Sequence, residues 1–134
     1  MLLASLWLAV WLAAPCYPTP AMADPESDYV LHCQGCHGPD GGGSVGGAPP
    51  FRGNLARFAR TERGRAYLLR VPGVAHAELD DEHMAALLNW ILSRFDSGAS
   101  DVRPFTVEEV RAGRREPLLS VPSARSRALG EGKR

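Results

Sequence analysis

Cys33-Gln34-Gly35-Cys36-His37 decides how the rest of the chain is read. A C-x-x-C pair alone has three common uses: a thioredoxin-like dithiol, half of a zinc site, or the attachment point of a c-type haem. A His directly after the second Cys selects the third. Two thiols can add to the two vinyl groups of the porphyrin while the imidazole meets the iron from one side. A zinc site would need a second Cys/His pair, and His32, His76 and His83 do not form one at the usual spacing. A dithiol motif would follow a strand in a βαβ pattern, which the chain lacks. This reading assigns Cys33 and Cys36 to two thioethers and His37 to the proximal iron position, with one covalent haem c as cofactor.

Upstream of the motif, Met1 to Ala14 are almost wholly apolar and uncharged. Pro15, Pro18 and Pro20 follow, then Ala21-Met22-Ala23, an A-x-A cleavage pattern. The segment 1–23 reads as an export signal, and the mature chain as starting at Asp24. Its apolar core falls short of the roughly 20 residues of a membrane span. No Lys or Arg precedes the apolar run, so a retained N-terminal anchor is the alternative. A lipoprotein reading at Cys16 is disfavoured by the Pro before it. Removal of the signal takes Cys16 away and leaves Cys33 and Cys36 as the only thiols. Signal and motif both predict the bacterial periplasm, with no membrane span after cleavage.

The remaining stretch of about 110 residues suffices for one domain with one core. Formal charge is balanced over the whole chain. It is uneven along it: residues 24–99 carry ten acids and seven bases, and residues 100–134 five acids and eight bases. No basic stripe interleaved with aromatics points to nucleic acid. The chain offers no Ser/His/Asp set and no phosphate loop.

The mature chain reads as all-α. A short first helix over Glu26–Gln34 carries Tyr29, Val30 and Cys33 at helical spacing. Residues 38–53 are rich in Gly and Pro and form a loop. A second helix spans Thr61–Arg70, with Thr61 as N-cap and Pro72 as its stop. Residues 71–78 read as a loop. The clearest helix is Asp81–Phe95, capped by Asp80, with Met84, Leu87, Leu88, Ile91, Leu92 and Phe95 on one stripe and Trp90 beside it. Ser97 to Ser100 break the chain. Thr106 and Glu109 make a capping box for a helix ending before Pro117, and a short helix over Ser123–Leu129 follows. This divides the chain into a domain at 24–99 and an extension at 100–134. The extension should pack on the domain through Phe105, Val110, Leu118 and Leu119, with its last residues frayed.

The layout from Tyr29 to Phe95 resembles a class I c-type cytochrome. Cys33 to Gly38 match its C-x-x-C-H-G, and Leu79-Asp80-Asp81-Glu82-His83-Met84-Ala85-Ala86-Leu87-Leu88-Asn89-Trp90-Ile91-Leu92 is similar to its last helix, with Trp90 at the aromatic position. The resemblance implies a small cytochrome c fold, three to five short helices around one haem, plus a helical tail. It also implies that a Pro carbonyl, from Pro49 or Pro50, faces the proximal His37.

One ligand departs from that pattern. The family presents a Met in the loop before the final helix, and residues 71–78 contain none. His76 lies in that loop and is one candidate distal ligand; Met84, inside the helix stripe, is another. The third alternative leaves the iron five-coordinate or water-ligated. His32 and His83 read as surface residues. Bis-His ligation would give a lower potential than Met/His ligation.

Taken together, these readings predict an electron-transfer protein rather than an enzyme. It would carry one electron from a periplasmic dehydrogenase or oxidoreductase to a cytochrome or oxidase. The alternatives are an open-site haem protein, acting as a gas sensor or peroxidase-like catalyst, and a cytochrome subunit of a larger complex.

Overall fold

Eight α-helices and no strand make up the described residues, 24–130 of a computed structural model. The segment 1–23 expected to serve as an export signal, with Cys16 and Met22, and the frayed end expected after Gly130 lie outside the described residues. No helix among the described residues is long and apolar enough to cross a membrane.

Helix α1 (Pro25–His32) begins with Pro at its first position, where a missing N–H leaves nothing unbonded. It is followed by the single turn α2 (Gln34–His37), which ends at Gly38 with φ 74°. Helix α3 (Leu55–Ala59) precedes α4 (Glu62–Arg70), whose cap Thr61 accepts from the Gly64 N–H at 3.0 Å. Pro72 then opens a further turn, α5 (Pro72–Ala75). Helix α6 (Asp81–Phe95) is capped by Asp80, which accepts from the His83 N–H at 2.8 Å. Past a 3-10 turn at Ser97–Ala99 come α7 (Val107–Arg114), capped by Thr106, and α8 (Val121–Ala128), capped by Ser120.

Helix α5 replaces part of the loop expected at 71–78, and α3 fills the stretch between the loop expected at 38–53 and the helix expected from Thr61. Leu55, Ala56, Phe58 and Ala59 are all buried, so α3 is held by packing and has no side-chain cap. Val71 is extended (φ −62°, ψ 143°), as a residue before Pro must be. Pro72 therefore both stops α4 and starts α5.

The long helix α6 is the centre. Its stripe from Met84 to Phe95 is buried, and α1 and α7 both pack against this helix. Tyr29 on α1 sets its ring 4.9 Å from Phe95 and 5.5 Å from Trp90. Val30 does not share that inward face and is 51% exposed, because α1 has one neighbouring helix of length and needs one buried stripe. On the other side α4 packs against α3, α7 and α8. Phe105 and Val110 are buried in the core and Leu118 packs on it, whereas Leu119, expected to pack, is 95% exposed.

Charge also joins α4 to the extension. Arg65 is 1% exposed, and every one of its five N–H groups is used. Nε and Nη2 donate to the two oxygens of Glu109 at 2.6 Å each. Nη1 donates to the carbonyls of Ala59 and Arg103, and Nη2 to that of Pro104. The guanidinium lies 3.9 Å from the Phe105 ring centre. Bonds from Arg65, and less from Arg103, hold the Glu109 carboxyl below its ordinary range.

Removing one member of such a pair strands a buried charge, so Glu109→Ala should cost about 3 kcal/mol or more in denaturant unfolding. Asp101→Ala, which breaks the exposed pair with Arg60, should move the midpoint little. Because the Glu109 pKa is lowered by folding, its contribution is present above the ordinary Glu value near 4.5 and is lost as pH falls below it. Wild type should therefore lose stability in that range more steeply than Glu109→Gln.

Candidate functional site

The break between α1 and α2 brings the motif together. Cys33 leaves the helix with φ −125° while its N–H still bonds to the Tyr29 carbonyl at 2.9 Å. The N–H groups of Cys36 and His37 then return to the Cys33 carbonyl at 3.1 and 3.0 Å. Tyr29 Oη donates to the Gly38 carbonyl at 2.5 Å and fastens the end of α2 to α1.

The Gly/Pro-rich segment folds back over this turn. Gly43 N–H bonds to the His37 carbonyl at 2.9 Å, and Phe51 N–H to the Gly41 carbonyl at 2.9 Å. The Phe51 ring stacks on the His37 imidazole, 4.0 Å between centres and 17° from parallel. Gly43 has φ 75°, and a Cβ there would overlap the Ala48 carbonyl oxygen and stand 2.8 Å from Pro50 N. Only glycine meets both demands.

Cys33, Cys36 and His37 line one cavity of about 280 Å³. Pro49, Pro50 and Phe51 close it from the loop, and Leu55 and Phe58 from α3. Tyr67 and Leu68 of α4, then Val71, Gly73 and Val74, make a further wall. Ile91 of α6 also reaches it. The extension contributes Val121 and Arg125 of α8. Among the described residues the lining contains no carboxylate and one permanent cation, Arg125, 5.1 Å from the Phe58 ring centre.

Both thiols are free, Cys36 exposed and Cys33 half-buried. Burial, with help from Asp28 and Cys36, pushes the Cys33 thiol up to about 11. Burial also lowers the His37 pKa, opposed by the Pro49 carbonyl. Both candidate prolines, Pro49 and Pro50, line the cavity beside His37. His37 Nδ1 is nevertheless buried without a partner at hydrogen-bonding geometry, so the Pro49 carbonyl lies near the ring without a formed bond. The imidazole is neutral at pH 7 and has a lone pair to offer a metal.

The other candidate ligands lie elsewhere. His76 is exposed, just past the end of α5, and does not line the cavity. Arg114 of α7 fixes the chain beyond it, donating to the carbonyls of Ala77 at 2.7 Å and Leu79 at 2.8 Å. Met84 is 1% exposed within the α6 stripe and does not line the cavity either. His83 is not a free surface residue: its Nδ1 lies 3.2 Å from the Asp28 carboxylate on α1. His32 lines the cavity rim beside Cys33. Arg125 and Val121 line the candidate site without a signal in the sequence, because the motif lies some ninety positions away and α8 has only a weak pattern of its own.

Two free thiols, a neutral imidazole with an unused nitrogen and an apolar slot are what a covalently held porphyrin requires. A closed zinc site needs four converging ligands. Among the described residues no three His, Cys, Asp or Glu side chains converge in that way. Comparison with protein-family models, curated proteins and solved structures finds no match to this chain.

With both thiols unmodified, iodoacetamide should label Cys36 at least about tenfold faster than Cys33, as peptide mass mapping would show. Gly43→Ala should destabilise the chain by about 1–3 kcal/mol in denaturant unfolding, because the loop over His37 must shift.

Proposed function

We propose that this chain is an exported c-type cytochrome of the class I kind. It carries one haem on Cys33 and Cys36, with His37 as proximal ligand. It passes single electrons from a periplasmic dehydrogenase or oxidoreductase to a cytochrome or oxidase. The observation that supports this reading most is the meeting of two free thiols and one imidazole on a single apolar cavity.

Haem held there supplies a one-electron iron couple. The chain's own residues do the rest. Cys33 and Cys36 anchor the macrocycle, and Phe51 fixes the plane of the His37 ring. Leu68, Val71, Val74 and Ile91 keep water from the slot. Arg125 offers a positive charge to the carboxylates of the haem periphery. No side chain in this reading makes or breaks a substrate bond.

An open coordination position is the second reading, and one observation favours it. The segment that resembles the family's ligand loop fronts the cavity with Val71, Gly73 and Val74, while neither His76 nor Met84 reaches the wall.

The test is expression of the full chain with a haem-attachment system. Covalent haem should survive denaturing electrophoresis in wild type and vanish in Cys33→Ala/Cys36→Ala. Wild type without covalent haem would overturn the proposal. Ferric electron paramagnetic resonance then separates the two readings. A low-spin signal, turned high-spin by His76→Ala or Met84→Ala, supports the closed electron carrier. A high-spin wild type whose ferrous form binds CO rapidly supports the open site.

A further inference from the structure

A second concavity, of about 530 Å³, lies between α4 and α8. Its floor is small: Ala66 on α4, Ala124 and Ala128 on α8. Its rim is three arginines, Arg63 and Arg70 from α4 and Arg127 from α8. Arg63, Ala66 and Arg70 follow at helical spacing on one face, as do Ala124, Arg127 and Ala128. Two helices thus turn alanines and guanidiniums toward the same space.

What sets these arginines apart is that three of them converge on one concavity with no acid among the described residues that line it. Five other guanidiniums are matched: Arg60 with Asp101, Arg65 with Glu109, Arg103 with Glu62 and Glu109, Arg111 and Arg114 with Asp81. Among the described residues, no carboxylate pairs with Arg63, Arg70 or Arg127, and none lines the concavity. Arg70 makes one bond, from Nε to the Ala66 carbonyl of its own helix. Three like charges facing one space repel each other unless an anion sits between them.

We propose that this groove binds a small multivalent oxyanion, a compound bearing several carboxylate or phosphate groups. Guanidinium forks match both groups with paired hydrogen bonds. The shape favours a small molecule over a protein face: the volume falls in the range of small-ligand sites, and an apolar floor with a few convergent polar groups is their usual build. This site is separate from the cavity at Cys33, Cys36 and His37. Arg125 and Arg127 stand two positions apart on α8, so one points to each. The proposal does not depend on haem.

The test is isothermal titration calorimetry on the full chain as isolated, at about 0.15 M salt so that diffuse attraction is screened. Citrate and inorganic pyrophosphate are the two probes, and they separate the carboxylate from the phosphate class. Saturable one-to-one binding of either is expected. Arg63→Gln/Arg127→Gln should weaken it at least about tenfold, since charged hydrogen bonds are lost. Arg52→Gln/Arg115→Gln removes the same charge from two exposed arginines outside the groove and should leave the affinity unchanged. Circular dichroism and melting temperature should match wild type in both double variants. Equal weakening in the two would overturn the proposal in favour of non-specific charge attraction. So would failure of both probes, including the case in which only poly-glutamate binds, which would mark a protein-docking face.

Discussion

A buried guanidinium holds the two parts of this chain in one piece. Withdrawing Arg65 from water is costly unless every donor finds a partner. Here Glu109 takes two of its N–H groups and three backbone carbonyls take the others. The acceptors come from the end of α3, from the link at 103–104 and from α7. One side chain thereby fixes three segments that share no secondary structure. With α7 held, Arg114 can reach Asp81 and the carbonyls of Ala77 and Leu79. The link between α5 and α6 is then fixed as well, and with it Val71, Gly73 and Val74 on the cavity wall. Gly113 makes the same junction possible, since a Cβ there would stand 2.6 Å from Leu69.

The cavity divides into a local half and an assembled half. The thiols, the imidazole and the loop that covers them lie within residues 33–51 and are set by short-range bonds. The opposite walls come from α3, α4, α5, α6 and α8. An apolar slot of this kind in a small domain leaves core surface unfilled. In the proposed reading a haem would fill it, and burial of its apolar faces would stabilise the fold. The extension belongs to that wall, since α8 supplies Arg125 to the cavity on one side and Arg127 to the basic groove on another.

Much of the helical framework was legible because caps and stripes are local. Thr61, Asp80 and Thr106 each accept the N–H three residues on, as their sequence context predicts, but the return half of the Thr106/Glu109 box does not form, because Arg65 and Arg103 take the Glu109 carboxylate. The α6 stripe is buried as its periodicity requires. Helix α3 escaped notice because its five residues carry no cap and are stabilised by packing alone. Helix α5 is hidden in the sequence because Pro72 serves equally well as the stop of one helix and the first position of the next. Leu119 points outward and Leu118 inward, a choice that nothing in the sequence of an irregular link specifies. Asp28 and His83, fifty-five positions apart, became partners only when α1 packed against α6.

Sequence alone determined the all-helical class, the bounds of the longer helices and the five-residue motif. Each depends on groups within a turn or two of one another, where spacing dictates geometry. Tertiary structure alone decided that Arg65 is buried, that Arg125 reaches the motif's cavity and that Arg63, Arg70 and Arg127 share a groove. It likewise placed His76 and Met84 away from the wall. Those outcomes depend on how α4, α6, α7 and α8 are arranged. The arrangement follows from the summed packing and charge pairing of residues far apart in the chain, which no local pattern encodes.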